Sequence, residues 1–194
     1  MILMETTSDT LEPSPWIRRW TPLVTPGTTV LDVACGRGRH MRWFAARGHP
    51  VVGVDRNSAL IAQLQDVGEV VHADIETDAW PFAGRSFGAV VVTNYLWRPL
   101  LGTLARTVAD SGILLYETFA RGQDRIGRPR NPAFLLEPGE LLRHFAPPLW
   151  HVLAFEDGFE SNPYPRFVQR IVAIRRVAQE SVVGACSRLL LPPG

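Results

Sequence analysis

Residues 30–47 constrain the fold more than any other stretch of this 194-residue chain. Val30-Leu31-Asp32-Val33 has strand character and runs straight into Ala34-Cys35-Gly36-Arg37-Gly38. Arg39 to Arg47 then reads as an amphipathic helix. A strand that becomes a helix across a few small residues opens a βαβ unit. Small side chains at that turn let the backbone approach a ligand closely, and the N–H groups that start the helix face it. The next strand, Val51 to Val54, ends on Asp55, nineteen residues after Gly36. A carboxylate there can accept both hydroxyls of a ribose. Left alone at the end of an apolar strand it would be costly.

The same alternation continues. Ser58 to Val67 reads as a helix with Asn57 or Ser58 as its cap, and Glu69 to His72 as a short strand. Phe87 to Thr93 is a strand, Pro99 to Ala109 a helix and Ile113 to Glu117 a strand. This order predicts a parallel sheet with helices on both faces. The unbroken apolar run Ala89-Val90-Val91-Val92 fits a strand buried on both sides. After Glu117 the pattern changes. Phe119 to Phe134 is rich in Gly, Arg, Pro and Asn and reads as a long loop, a length that in compact domains usually marks function or disorder. Pro138 to Phe145 follows as a short helix. Leu149 to Phe155 and Phe167 to Ile174 read as strands. Their connection, Gly158 to Pro165, is too short for a helical crossover, so the two form an antiparallel hairpin. Trp16, Ile17 and Trp20 share one face of a short helix against the core. The expected organisation is a single domain over residues 15–176 with flexible termini at 1–14 and 177–194.

Hydrophobic residues make up 46% of the chain and charged residues 20%, close to the globular average, which excludes a largely disordered protein. No run of about 18 apolar residues exists, so no membrane-spanning helix is expected. The first residues lack a basic and apolar leader, and Cys35 and Cys186 make no disulfide framework. Both point to the cytoplasm. A net charge of +1 gives no whole-surface nucleic-acid footprint. All 20 basic residues are arginine, a chain-wide bias that lowers the weight of any single one.

Two ligand classes compete for the Gly36–Gly38 turn. A dinucleotide fold wants a third glycine where this chain has Met41, which weighs against a nicotinamide or flavin. Three further segments add to the turn: Asp55, Ala73-Asp74-Ile75-Glu76, and Thr93-Asn94-Tyr95. Together with Gly112-Ile113-Leu114-Leu115-Tyr116-Glu117 they resemble, in order, the motifs of class I S-adenosylmethionine-dependent methyltransferases. Within that superfamily the chain is most similar to small bacterial enzymes of the tellurite-resistance type. Ala34 stands where the first motif often carries Gly.

The resemblance implies a Rossmann-like three-layer α/β sandwich, with a mostly parallel seven-stranded sheet and a C-terminal antiparallel hairpin. It implies S-adenosylmethionine as methyl donor and S-adenosylhomocysteine as product. Asp32 would meet the methionine ammonium. The backbones of Ala34, Gly36 and Gly38 would line the methionine and ribose. Asp55 would hold the ribose hydroxyls, and Arg56 would flank the adenine. Asp74 would meet the adenine amino group, with the Ile75 N–H beside a ring nitrogen. Asn94 and Tyr95 would close the site near the methyl.

On the acceptor side, Tyr95 is either a catalytic group or an aromatic lid. Glu117 can orient or deprotonate an acceptor, or equally pair with an arginine. The loop Arg121 to Asn131 carries four Arg against one Asp. Guanidinium forks suit carboxylates, phosphates and oxyanions, so Arg98, Arg128, Arg130 and Arg166 are candidates to bind a small anionic acceptor. The competing reading is a solvated loop in an all-arginine protein. The five histidines show no metal-ligand spacing, so no metal is expected. RNA or protein as acceptor, and a donor-binding module without turnover, stay open. The expected assembly is a monomer or homodimer, with no membrane partner.

Overall fold

The computed structural model describes residues 11–162 and 164–177. The chain enters through helix α1 (Pro15–Trp20), capped by the Ser14 side chain and opened by Pro15, whose missing N–H costs nothing there. Then come strand β1 (Val30–Val33), helix α2 (Arg39–Ala45), β2 (Val51–Asp55), α3 (Ser58–Ile61), β3 (Glu69–His72) and β4 (Phe87–Thr93). Helix α4 (Leu101–Thr107) leads into β5 (Val108–Phe119). Short helices α5 (Gln123–Ile126) and α6 (Glu140–His144) precede β6 (Trp150–Glu160) and β7 (Arg166–Arg175).

The seven strands form one sheet in the order β3-β2-β1-β4-β5-β7-β6. β1 to β5 pair in parallel, whereas β7 pairs antiparallel with both β5 and β6. The strand order reverses between β1 and β4, and in such sheets a crevice opens there beyond the carboxyl ends of the strands. Two apolar cores lie on the two faces. One joins Leu31, Val54, Val90, Leu104, Tyr116 and Phe145, and the other Trp16, Ile17, Met41, Phe44, Val91 and Val172. This is the three-layer sandwich expected from the alternation of strands and helices.

Several bounds differ from the expectation, each for a visible reason. Helix α3 stops at Ile61, where tighter turns from Leu60 and Ile61 to Gln63 and Leu64 carry Leu64 into the core. Strand β5 begins at Val108 because its register with β4 shifts between Phe87 and Ala89, which bulges out Ala109 to Gly112. Strand β6 continues to Glu160 despite its polar sequence, because Glu156 lies opposite Arg170 and Glu160 opposite Arg166. The long loop after Phe119 is an excursion closed at its base. Leu136 N–H donates to the Phe119 carbonyl and Arg121 N–H to that of Leu136. The expected boundary at residue 15 moves as well: Pro13 and Ser14 are buried and packed against the sheet. The expected flexibility at 1–10 and 178–194 lies outside the described residues.

Candidate functional site

A cleft of about 140 Å³ opens at the reversal point between β1 and β4. Its walls are the turn from Ala34 to Arg37, the first turn of α2 with Arg39 and His40, and the end of β4 with Thr93, Asn94 and Tyr95. Ala34 and Asn94, one from each strand end, both have φ of +54°. A non-glycine residue there costs roughly 1–2 kcal/mol, and such strain gathers at functional turns. The frequent glycine of the first motif thus meets a backbone requirement that Ala34 satisfies under strain.

Gly36 and Gly38 do different work. A Cβ on Gly36 would meet nothing within 4 Å, so its face is open space. A Cβ on Gly38 would come 2.5 Å from Leu64 Cδ2, so that glycine serves the packing of α2 against the residues after α3. Met41, at the third fingerprint position, is accommodated from the other side: Gly53 of β2 leaves the room its sulfur fills.

Asp32 lies beneath the cleft at 2% exposure, and its Oδ2 has no hydrogen-bond partner among the described residues. Burial pushes its carboxyl up to about 7 against the pull of Arg39. His40, 1% exposed, is pushed down to about 3 by burial and then by Arg39, so it is neutral. Its Nδ1 lies 3.9 Å from Asp32 Oδ1 and 3.5 Å from Thr93 Oγ1. Its Nε2 accepts the Ser14 backbone N–H at 3.2 Å. Burial also pushes the Cys35 thiol up, so it lines the cleft as a protonated, unreactive group.

Asp55 ends β2 with both oxygens engaged. Oδ2 accepts the Gly36 N–H at 2.8 Å and Oδ1 the Asn57 N–H at 2.9 Å. The carboxylate therefore ties the turn after β1 to the end of β2. Asp74 Oδ1 accepts the Glu76 N–H at 3.1 Å and shapes the turn after β3, with Ile75 buried beside it. Arg56 is exposed, its carbonyl 3.0 Å from His72 Nε2. These residues border the cleft's far end without lining it. Tyr95 connects the two parts. It lines the cleft, its hydroxyl has no hydrogen-bond partner among the described residues, and burial with Glu76 and Asp74 pushes its phenol up. It stays a protonated phenol at neutral pH.

The acceptor-side candidates fare differently. Glu117, 1% exposed, is enclosed by cations. Its Oε2 lies 3.1 Å from Arg170 Nη1, and both its oxygens lie 3.4 Å from Arg166. Ser14 Oγ also donates to it at 2.9 Å. Of the two roles open to Glu117, the structure shows the ion pair, which makes the carboxylate the centre of a charge network. Arg166 belongs to the same network: its Nε donates to Glu160 at 2.6 Å and the side chain is buried. Arg98 grips Glu140 with Nε and Nη2 at 2.7 and 2.9 Å and donates to the Ala133 and Leu135 carbonyls. These bonds clamp the loop to α6. Arg128 and Arg130 are exposed on that loop, away from the cleft lining.

Sequence reasoning gave no role to Arg37, Arg39, His40 and Thr93, which line the cleft, or to Ser14 beneath it. Arg39 and His40 open a helix right after Gly38, and that first turn faces a ligand by construction. Ser14 carried a signal too, because Ser followed by Pro marks a helix start and so an anchored residue. Among the described residues no cluster of His, Cys, Asp and Glu is placed to hold a metal. No helix among them is long and apolar enough to cross a membrane.

Residues 30–112 match the sequence profile of the family described as Methyltransferase domain. The fold is similar to that of TehB from Haemophilus influenzae, with a TM-score of 0.68 at 18% identity over 89% of this chain. The chain spans 64% of that protein's length. A TehB-like S-adenosylmethionine-dependent methyltransferase from Corynebacterium glutamicum gives 0.59 at 21% identity, covering 83% of this chain and 87% of the other. The glycopeptide N-methyltransferase MtfA, solved with S-adenosyl-L-homocysteine, gives 0.57 at 16% identity, covering 81% and 87%. No curated protein is significantly similar to the chain in sequence. At these identities the structural likeness is one of fold.

Proposed function

We propose that this chain is a class I S-adenosylmethionine-dependent methyltransferase that methylates a small anionic acceptor at the cleft between β1 and β4, a reading supported by the family profile over residues 30–112 and by the fold. One observation carries the donor assignment: the buried Asp32 carboxyl beneath the cleft, with an oxygen that no described residue satisfies. A buried acceptor without a partner is expensive, and a ligand ammonium is the group that would repay it. Gly36, in the cleft wall, faces open space that leaves room for a ligand. Asp55 keeps a second lone pair on each oxygen, enough for a ribose diol beside its two backbone bonds. In this reading Asp32 holds the ammonium, and Ala34, Gly36 and Gly38 line the methionine and ribose. Asp55, Arg56, Asp74 and Ile75 hold the nucleoside, and Asn94 and Tyr95 close over the methyl end.

The bound donor supplies a methyl on a sulfonium sulfur, which departs as a neutral thioether. The chain's own residues then have to position the acceptor in line, and such orientation accounts for a large part of the rate. A general base helps only an acceptor that must lose a proton. The cleft offers little for that task. Tyr95 stays protonated, His40 Nε2 is taken by Ser14, and Glu117 is locked in ion pairs. This favours an acceptor that arrives as a nucleophile with no proton to lose, such as a carboxylate or an oxyanion. Arg128 and Arg130 are exposed on the loop after β5 and offer outer attraction to an anion.

The test is calorimetric titration with S-adenosylmethionine, S-adenosylhomocysteine and NADH, followed by a screen of small carboxylates and oxyanions for release of S-adenosylhomocysteine. Micromolar binding of both sulfur ligands, silence from NADH and turnover on an anion are the expected results. Replacing Arg128 and Arg130 with Gln should raise KM for the anion and spare donor affinity. Binding without turnover on any anion, together with salt-dependent binding of RNA, would move the acceptor to a nucleic acid. Silence from both sulfur ligands would sink the donor assignment.

A further inference from the structure

The buried polar atoms beneath the cleft form a chain across four parts of the fold. Glu117 of β5 accepts the Ser14 hydroxyl at 2.9 Å, and the same hydroxyl oxygen accepts the Trp16 N–H at 3.1 Å. The Ser14 backbone N–H donates to His40 Nε2 of α2 at 3.2 Å. His40 Nδ1 lies 3.5 Å from Thr93 Oγ1 of β4, its hydrogen-bond partner, and 3.9 Å from Asp32 Oδ1 of β1, within reach of the carboxyl's charge but not of a hydrogen bond. Ser14, His40, Asp32 and Glu117 are each no more than 5% exposed. The segment carrying Ser14 is held down by α1, whose Trp16, Ile17 and Trp20 sit in the core.

We propose that Ser14 and His40 are positioning residues of the methyl-donor site: the Ser14 N–H fixes the ring tautomer of His40, whose Nδ1–H bonds the Thr93 hydroxyl and presents its positive end to the Asp32 carboxyl. A backbone N–H can only donate, so Nε2 must be the bare nitrogen of the neutral ring, and Nδ1 must carry the proton. The opposite tautomer would aim a lone pair at the Asp32 carboxylate and repel the charged form that an ammonium requires. Arg39 and Asp32 are the charged groups that act on the ring from α2 and β1. The residues before α1 thereby become part of a site whose other members all lie after residue 30. The inference rests on Asp32 receiving the donor's ammonium.

Two substitutions at one position separate the N–H from the hydroxyl. Ser14→Ala and Ser14→Pro both delete the hydroxyl, and only proline deletes the N–H. The Ser14 φ of −52° suits the proline ring. Ser14→Ala should lower affinity for S-adenosylhomocysteine less than about threefold and Ser14→Pro about tenfold, the scale of one buried hydrogen bond. Ring nitrogen-15 shifts should report His40 as the Nδ1–H tautomer in the wild type and Ser14→Ala, and lose that state in Ser14→Pro. At His40, Asn places an amide N–H near the Nδ1 position. His40→Asn should therefore keep donor affinity that the apolar His40→Leu loses, which holds the test open if the proline variant does not fold. Equal affinity of the alanine and proline variants, equal affinity of His40→Asn and His40→Leu, or an Nε2–H ring in the wild type overturns the proposal. A wild-type protein that does not bind S-adenosylhomocysteine at all overturns the donor assignment instead, an outcome distinct from a bound donor whose affinity ignores Ser14.

Discussion

The two halves of the sheet treat polar groups in opposite ways. Around β1 and β4, polar atoms are buried and left partly unsatisfied: Asp32 Oδ2 and the Tyr95 hydroxyl have no hydrogen-bond partner among the described residues, and Ala34 and Asn94 hold left-handed backbone. Across β5, β7 and β6, charges are spent on one another. Glu117, Arg170 and Glu156 lie in a row over three adjacent strands, and Arg166 joins Glu117 to Glu160. Folding alone favours satisfied polar groups and relaxed turns, so the unmet carboxyl and phenol oxygens at the cleft suit a ligand, whereas the indole N–H groups of Trp16, Trp20 and Trp80, also without a hydrogen-bond partner among the described residues, lie away from its lining. The arginine-rich half looks more functional in sequence and is the more structural of the two.

Breaking the satisfied half should have the largest effect. Glu117→Ala strips one buried partner from two largely buried guanidinium groups, both of which keep Glu160, so the loss stays below the cost of a charge left wholly unpaired, about 3–5 kcal/mol. Urea unfolding measures it, and a loss below about 1 kcal/mol would show that the row carries little.

The opposite half predicts a gain. The Asp32 carboxyl moves from 3.8 to about 7 on folding. Between those values the folded protein keeps a proton that the unfolded chain releases, so stability falls as pH rises from about 4 to about 7 and then levels. The shift corresponds to about 2–4 kcal/mol. Asp32→Asn should abolish this dependence and exceed the wild type in stability at pH 8, while losing donor affinity. Parallel stability profiles for the two proteins between pH 5 and 8 would refute the assignment.

Asp55→Ala should weaken S-adenosylhomocysteine binding by about 1.5–3 kcal/mol, the range for hydrogen bonds to a charged group. It should also lower stability, because Gly36 and Asn57 lose their acceptor. Unchanged affinity in calorimetry would remove the ribose role and leave only the loop-tying one. The smallest effect belongs to Ala34→Gly. Relief of the left-handed strain of about 1–2 kcal/mol, set against the extra backbone entropy of glycine, should raise stability by about 0.5–1 kcal/mol. A lower melting midpoint would mean that the turn is not strained at Ala34.

Much of this molecule is legible in local pattern. The Val30–Gly38 turn, the apolar runs of β2 and β4, the one-sided helix of Trp16, Ile17 and Trp20 and the short link between β6 and β7 each report their own conformation, because periodicity and side-chain size act within a few residues. The cleft at the carboxyl ends of β1 and β4 follows from strand order, which the alternation of elements restricts to few choices. The arginines mark where such reading stops. Arg98, Arg166 and Arg170 carry the same charge and fork as Arg37 and Arg39, and nothing adjacent to them in sequence tells a clamp from a cleft wall. The partners decide: Glu140 lies 42 residues from Arg98, Glu117 lies 49 from Arg166, and Ser14 lies 103 from Glu117. Local chemistry set the strands and the turns. Only the folded packing decided which charges neutralise one another and which groups face the cleft, because electrostatic pairing depends on distance in space and not on distance along the chain.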